Sequence, residues 1–128
     1  MNYKYVGILK EEIAEYWGIQ EHKNKPILVY DNRKQHVIDS HLEDFGCIEE
    51  IEKIYNSLNN IIKNPDYVFY NSITKGLEYY KKINNHVCVA VRINSGKVLK
   101  IKSWYPASDS KIANRKKKEL ELKSISEN

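Results

Sequence analysis

The chain has 128 residues, 30% of them charged and 41% hydrophobic, with a formal net charge of +4. That length suits one domain with a single core, burying roughly two-thirds of the unfolded surface. No apolar run approaches the ~20 residues of a membrane span, and the first segment meets acidic residues too early for a secretory signal. Cys47 and Cys88 lack metal-like spacing and read as reduced thiols of a cytosolic protein.

In chain order, Leu9, Ile13, Tyr16 and Trp17 share one face of a short helix expected from Ile8 to Trp17, which Gly18 stops. After a polar loop, Pro26 precedes the apolar run Ile27–Tyr30, read as a strand. Asn32 with Gln35 makes a capping-box pattern, with Asp31 as an alternative cap. Val37, Ile38, His41, Leu42 and Phe45 form a helical stripe that ends at Gly46. A longer helix is expected from Cys47 to Lys63 on the stripe Ile48, Ile51, Ile54, Tyr55, Leu58, Ile61 and Ile62. Asn64-Pro65-Asp66 terminates it, because proline cannot continue the ladder.

Tyr67–Tyr70 reads as a strand and His86–Tyr105 as a hairpin; Leu77–Ile83 fits strand or helix, and its place between two strands and an Asn84-Asn85 turn favours strand. The loop Asn94-Ser95-Gly96 predicts a three-residue turn with Gly96 in the left-handed region. That turn would set Val91 opposite Leu99, Val89 opposite Ile101 and Val87 opposite Ser103. Ser103 and Tyr105 would then continue the core face beyond its aliphatic residues, where a cleft could open. The segment 111–128 is basic and reads as helical or partly disordered. These elements predict an α+β fold, with helices on one face of an antiparallel sheet of about four strands.

The positive excess is small, so its placement matters more than its size. Lys97, Lys100 and Lys102 line one arm of the hairpin, and Arg115–Lys118 is a basic run. Such clustering suits a polyanion partner and equally suits a solvated surface. His36 and His41 stand five residues apart and point about 140° apart on a continuous helix. Helical metal ligands want a spacing of three or four, and no third ligand stands at a matching position. No metal and no cofactor are therefore expected. His41, inside the apolar stripe, reads first as a buried histidine bonded to backbone. Its functional reading is a proton carrier facing Ser103 and Tyr105. His36 lies one turn from Arg33 and reads first as an exposed polar residue. Lys82, Lys102, Lys111 and Arg115 are candidate phosphate-neutralising cations beside Arg33. No nucleophile elbow surrounds Ser103, and no phosphate-binding glycine loop is present.

Four pieces then stand in order: the strand Ile27–Tyr30, the helix with His36-Val-Ile-Asp-Ser-His41, Asn64-Pro65-Asp66, and Lys102-Ser103-Trp104-Tyr105-Pro106. Together they resemble the phage-borne nuclease domains of the barnase–EndoU–colicin–RelE-like class, over about Val6 to Arg115. The resemblance implies a nuclease-like domain over residues 1–110 with helices against a curved antiparallel sheet, followed by the basic tail 111–128. It implies metal-independent RNA cleavage by 2′-hydroxyl attack, in the cytoplasm of a bacterial or phage-infected cell, with a cognate inhibitor protein as a possible partner. The positions that match are His36, His41, Ser103 and Tyr105, with Lys82 and Arg115 as weaker matches; a barnase-type glutamate base is not identifiable. His41 is the first candidate acid or base and His36 the second. Tyr105 and Ser103 would donate hydrogen bonds to phosphate. The rival expectation is a non-catalytic module that binds RNA or protein on the same scaffold.

Overall fold

Tyrosine, lysine and valine alternate through the first strand, β1 (Tyr3–Ile8). The sequence reading missed it, because both faces of this edge strand carry large residues: Tyr3 and Tyr5 are exposed while Val6 is buried. A computed structural model describes residues 2–127, with side chains through Lys123. Asn128, the end of the expected tail segment, lies outside the described residues. After β1 come α1 (Glu11–Tyr16), β2 (Pro26–Tyr30), α2 (Asn32–Phe45), α3 (Ile48–Tyr55), α4 (Leu58–Lys63), β3 (Tyr67–Asn71), β4 (Gly76–Lys82), β5 (His86–Arg92), β6 (Leu99–Pro106) and α5 (Asp109–Glu127).

The apolar stripe expected of one helix over Cys47–Lys63 is buried or half-buried from Ile51 onward while its first member, Ile48, is exposed, and two helices carry it. Asn56 and Ser57 interrupt the chain, and the Ser57 hydroxyl donates to the Lys53 carbonyl. At α2 the capping box does not form, because Gln35 donates to Asp39 instead. Gly46 takes φ 87° at the end of α2, the left-handed conformation that closes a helix.

The sheet has six strands rather than about four, in the order β1-β2-β6-β5-β4-β3. It is mixed rather than purely antiparallel: β2 runs parallel to β6 through Ile27–Leu99 and Leu28–Lys100, and every other pair is antiparallel. The apolar side chains of α1 to α4 fill one face, where Val37, Ile51, Ile54, Leu58, Ile61 and Ile62 meet Leu77, Tyr79, Val89, Val91 and Trp104. The expectation of helices on one face alone is corrected by α5. Its Ile112 packs on the opposite face, against Phe69, Tyr80 and Cys88. Among the described residues no helix is long and apolar enough to cross a membrane.

The hairpin arms lie where expected, but their register does not. Val91 faces Ile101 rather than Leu99, and Val89 faces Trp104 rather than Ile101. Two features cause this. First, Gly96 does not have positive φ. The loop is instead closed by the Asn94 side chain, which accepts the Gly96 N–H at 2.7 Å. Second, Val91 pairs with Ile101 while Ala90 pairs with Ser103, so Lys102 is an extra residue on β6. Such a bulge shifts every later side chain to the other face.

Candidate active site

The Lys102 bulge decides where Ser103 and Tyr105 point. In unbroken alternation they would follow Leu99 and Ile101 into the main core. Instead Trp104 enters that core, fully buried, and its ring N–H donates to the Ile51 carbonyl at 3.3 Å. Ser103 and Tyr105 therefore join the opposite face, opposite Ala90 and Cys88 of β5. The bulge is fastened from α2, where Arg33 Nε donates to the Lys102 carbonyl at 3.0 Å.

On its β6 side, strand β2 pairs only with the start of β6, and α2 packs along β6. This placement lets one helix serve both faces. Val37 enters the core, while His36, Ser40 and His41 border a cleft of about 280 Å³. Across from them the cleft is lined by Glu78, Arg92, Lys102, Ser103 and Tyr105. Helix α2 is unbroken between the two histidines, and both reach the cleft although they stand five residues apart.

His41 is not the backbone-bonded core histidine that its stripe suggests. Its side chain is 26% exposed, and Nδ1 lies 2.9 Å from Asp44 Oδ2. With Asp44 as acceptor, Nδ1 carries the proton and Nε2 is left for proton exchange. The imidazole lies against Tyr105, ring centroids 5.3 Å apart. His36 is exposed, yet its pKa is held below the ordinary histidine value. Partial loss of solvent is the largest cause, followed by the charges of Arg33 and His41, with Lys102 adding to them. His36 is thereby biased toward the neutral imidazole, which accepts a proton.

Burial pushes the Tyr105 phenol far above its usual pKa, so it remains a donor at any physiological pH. Its hydroxyl accepts from Lys111 Nζ at 3.4 Å, and the same ammonium sits 4.4 Å from the ring centroid. Cys88 lies behind it, and burial raises the thiol to about 11, which keeps it protonated. Ser103 is 6% exposed, and its hydroxyl has no hydrogen-bond partner.

Glu78 was missed by the sequence reading. It is 8% exposed on the face away from Leu77 and Tyr79, and it lines the cleft. Arg115 of α5 grips it twice, at 2.9 and 3.2 Å, and the Tyr80 hydroxyl donates to it at 2.7 Å. The available signal was one carboxylate inside Leu77-Glu78-Tyr79-Tyr80, an otherwise apolar strand segment. Arg92 and Asp44 were also not singled out. Of the expected cations, Lys102 borders the cleft and Lys111 reaches it through Tyr105. Arg33 holds the bulge, and Arg115 is engaged by Glu78. Lys82 is not brought in: it is exposed at the far end of β4, where its backbone N–H donates to Asp66. Among the described residues no group of three or more His, Cys, Asp and Glu is placed to hold a metal ion.

The family model described as phage-Barnase-EndoU-ColicinE5/D-RelE like nuclease matches residues 3–114, from β1 into α5. No curated protein and no solved structure gives a significant match.

Proposed function

The chain belongs to the phage-Barnase-EndoU-ColicinE5/D-RelE like nuclease family, and from that membership we propose that it is a metal-independent endoribonuclease acting by attack of the ribose 2′-hydroxyl. The observation that carries this reading is convergence. His41, His36, Ser103, Tyr105 and the cations Lys102 and Arg92 border one cleft, although they come from α2, β5 and β6, and Asp44 holds His41 from outside it.

The reaction needs a base for the 2′-hydroxyl proton, donors for the charge gathering on phosphorus, and an acid for the departing 5′-oxygen. His41 is the first candidate for proton transfer, with Asp44 fixing its tautomer. His36, biased toward its neutral form, is the second and is suited to the base. The Tyr105 phenol and the unpartnered Ser103 hydroxyl supply hydrogen bonds to non-bridging oxygens. Lys102 and Arg92 balance the added charge. Arg33 acts by holding the bulge that aims Ser103 and Tyr105, and Lys111 by steadying Tyr105. Arg115 holds Glu78 and is taken out of the set that contacts substrate, together with Lys82. The substrate is RNA met in the cytoplasm of a bacterial or phage-infected cell, where a cognate inhibitor protein would protect the host.

The test is incubation with RNA in excess chelator. Cleavage should persist and leave 2′,3′-cyclic phosphate and 5′-hydroxyl ends, because the internal nucleophile is already in place. A strand with 2′-deoxyribose at the cut position should bind and resist cutting. His41→Ala should slow cleavage by about two orders of magnitude, the usual scale for a lost acid or base, with binding retained. Cleavage that stops with chelator or proceeds on the deoxy strand would overturn the mechanism. Binding with no cleavage of any RNA would leave a non-catalytic RNA-binding module.

A further inference from the structure

A second recess adjoins the cleft. It has a volume of about 700 Å³, and its lining includes Tyr30, Arg33, Arg92, Lys100 and Lys102. Arg92 and Lys102 line both recesses, so the two share a wall. Among the described residues none of these four cations is in a salt bridge. Asp31 is the acid among the lining residues. Unpaired like charges gathered in a concavity repel one another and are relieved by an anion. The aromatic residue of the wall is Tyr30, whose ring is braced at 5.8 Å by Tyr3 and has Lys100 Nζ 5.2 Å from its centroid.

We propose that this recess is a subsite for single-stranded RNA, holding a nucleotide beside the scissile phosphate with its base on Tyr30 and its phosphates between Arg92 and Lys100. The proposal rests on the cleft being the cleavage site. An aromatic platform beside a cationic track is how single strands are held without sequence preference. A duplex hides its base faces and is read across its grooves by shape, so it has no use for Tyr30. The parallel β2–β6 pairing creates the arrangement, because it sets Tyr30, at the end of β2, beside the stretch of β6 that holds Lys100 and the Lys102 bulge.

The experiment measures binding of a fully 2′-O-methylated octanucleotide, which resists 2′-hydroxyl attack, by fluorescence anisotropy with the intact protein. Tyr30→Ala should weaken binding roughly tenfold or more, in the range of one lost base stack, and Tyr30→Trp should restore it. Lys100→Gln, at an exposed position, should weaken binding without lowering the melting temperature. A duplex of the same sequence should bind more weakly and be indifferent to Tyr30→Ala. Wild-type affinity in both Tyr30→Ala and Lys100→Gln, or duplex binding as tight as single-strand binding, would overturn the subsite. These outcomes are separable from the catalytic reading. Cleavage with no dependence on Tyr30 or Lys100 removes the subsite alone, whereas Tyr30-dependent binding without cleavage removes the catalysis alone.

Discussion

At Ser103 stability and function are set against each other. A buried hydroxyl with no partner, on a residue 6% exposed, costs the fold about 1–3 kcal/mol in desolvation. A core position gains nothing from such a group, but a site that donates to a phosphate oxygen needs one that is free. Ser103→Ala should therefore raise stability by about 1 kcal/mol, read by thermal or denaturant melts, while slowing RNA cleavage. A variant that loses stability would show that the hydroxyl works for the fold. Tyr79 has the other such hydroxyl found among the described residues, but its ring lies in the main core away from the cleft. Its replacement by Phe is the natural control, because it removes an unpartnered hydroxyl without touching the site.

Between elements, the tie that matters most runs from α5 to β4 through Arg115 and Glu78. The pair is mostly buried, at 24% and 11% side-chain exposure. Arg115→Ala leaves the Glu78 carboxylate in the cleft wall with only the Tyr80 hydroxyl against it, and should cost about 2 kcal/mol or more. Lys117→Ala on the same helix should cost close to nothing. Equal melting temperatures for the two variants would show that Glu78 is solvated and the pair is a surface contact. This tie was not legible in the sequence because its partners lie 37 residues apart: a carboxylate in an apolar strand segment and an arginine in a basic run each stand out, but nothing local pairs them. The same holds for the Lys102 bulge. Leu99, Ile101 and Ser103 alternate as an ordinary half-buried strand would, and the extra residue is fixed by distant groups, the Arg33 guanidinium on the Lys102 carbonyl and the Ile51 carbonyl that receives the Trp104 ring N–H. The arms of the hairpin and the stripe of α2 were legible because each is written in local periodicity; β3 was legible as a short apolar run, and β4, ambiguous by itself, from the strands on either side of it. The Ile51–Ile62 stripe was read correctly as a buried face and wrongly as one helix, since a stripe continues across Asn56-Ser57 whether or not the helix does. The histidines, Ser103 and Tyr105 were visible as residue types, but the bulge that gathers them was not.

For the whole molecule, the net charge of +4 says less than its division between two regions. Arg33, Arg92, Lys100 and Lys102 stand around the two recesses. The run Arg115–Lys118, which in sequence suits a polyanion equally well, is directed elsewhere in part: Arg115 to Glu78, and Lys116 to within 5.4 Å of the Tyr67 ring, toward the β3 edge. Salt titration separates the two regions. Each phosphate neutralised on a single strand adds about 0.7 to the slope of log K against log salt. Four cations around the recesses would then give a slope near −3, as an order-of-magnitude figure. Arg92→Gln with Lys100→Gln should flatten it by about 1.4 and weaken binding to every sequence alike, since phosphate contacts carry no sequence information. Lys116→Gln with Lys117→Gln removes the same formal charge and should change the slope by much less, because neither residue lines either recess. The two double variants have equal net charge, so a general field effect would move both slopes together. Equal slopes would return the tail to the RNA interface, and only the larger change at Arg92 and Lys100 supports a track through the recess.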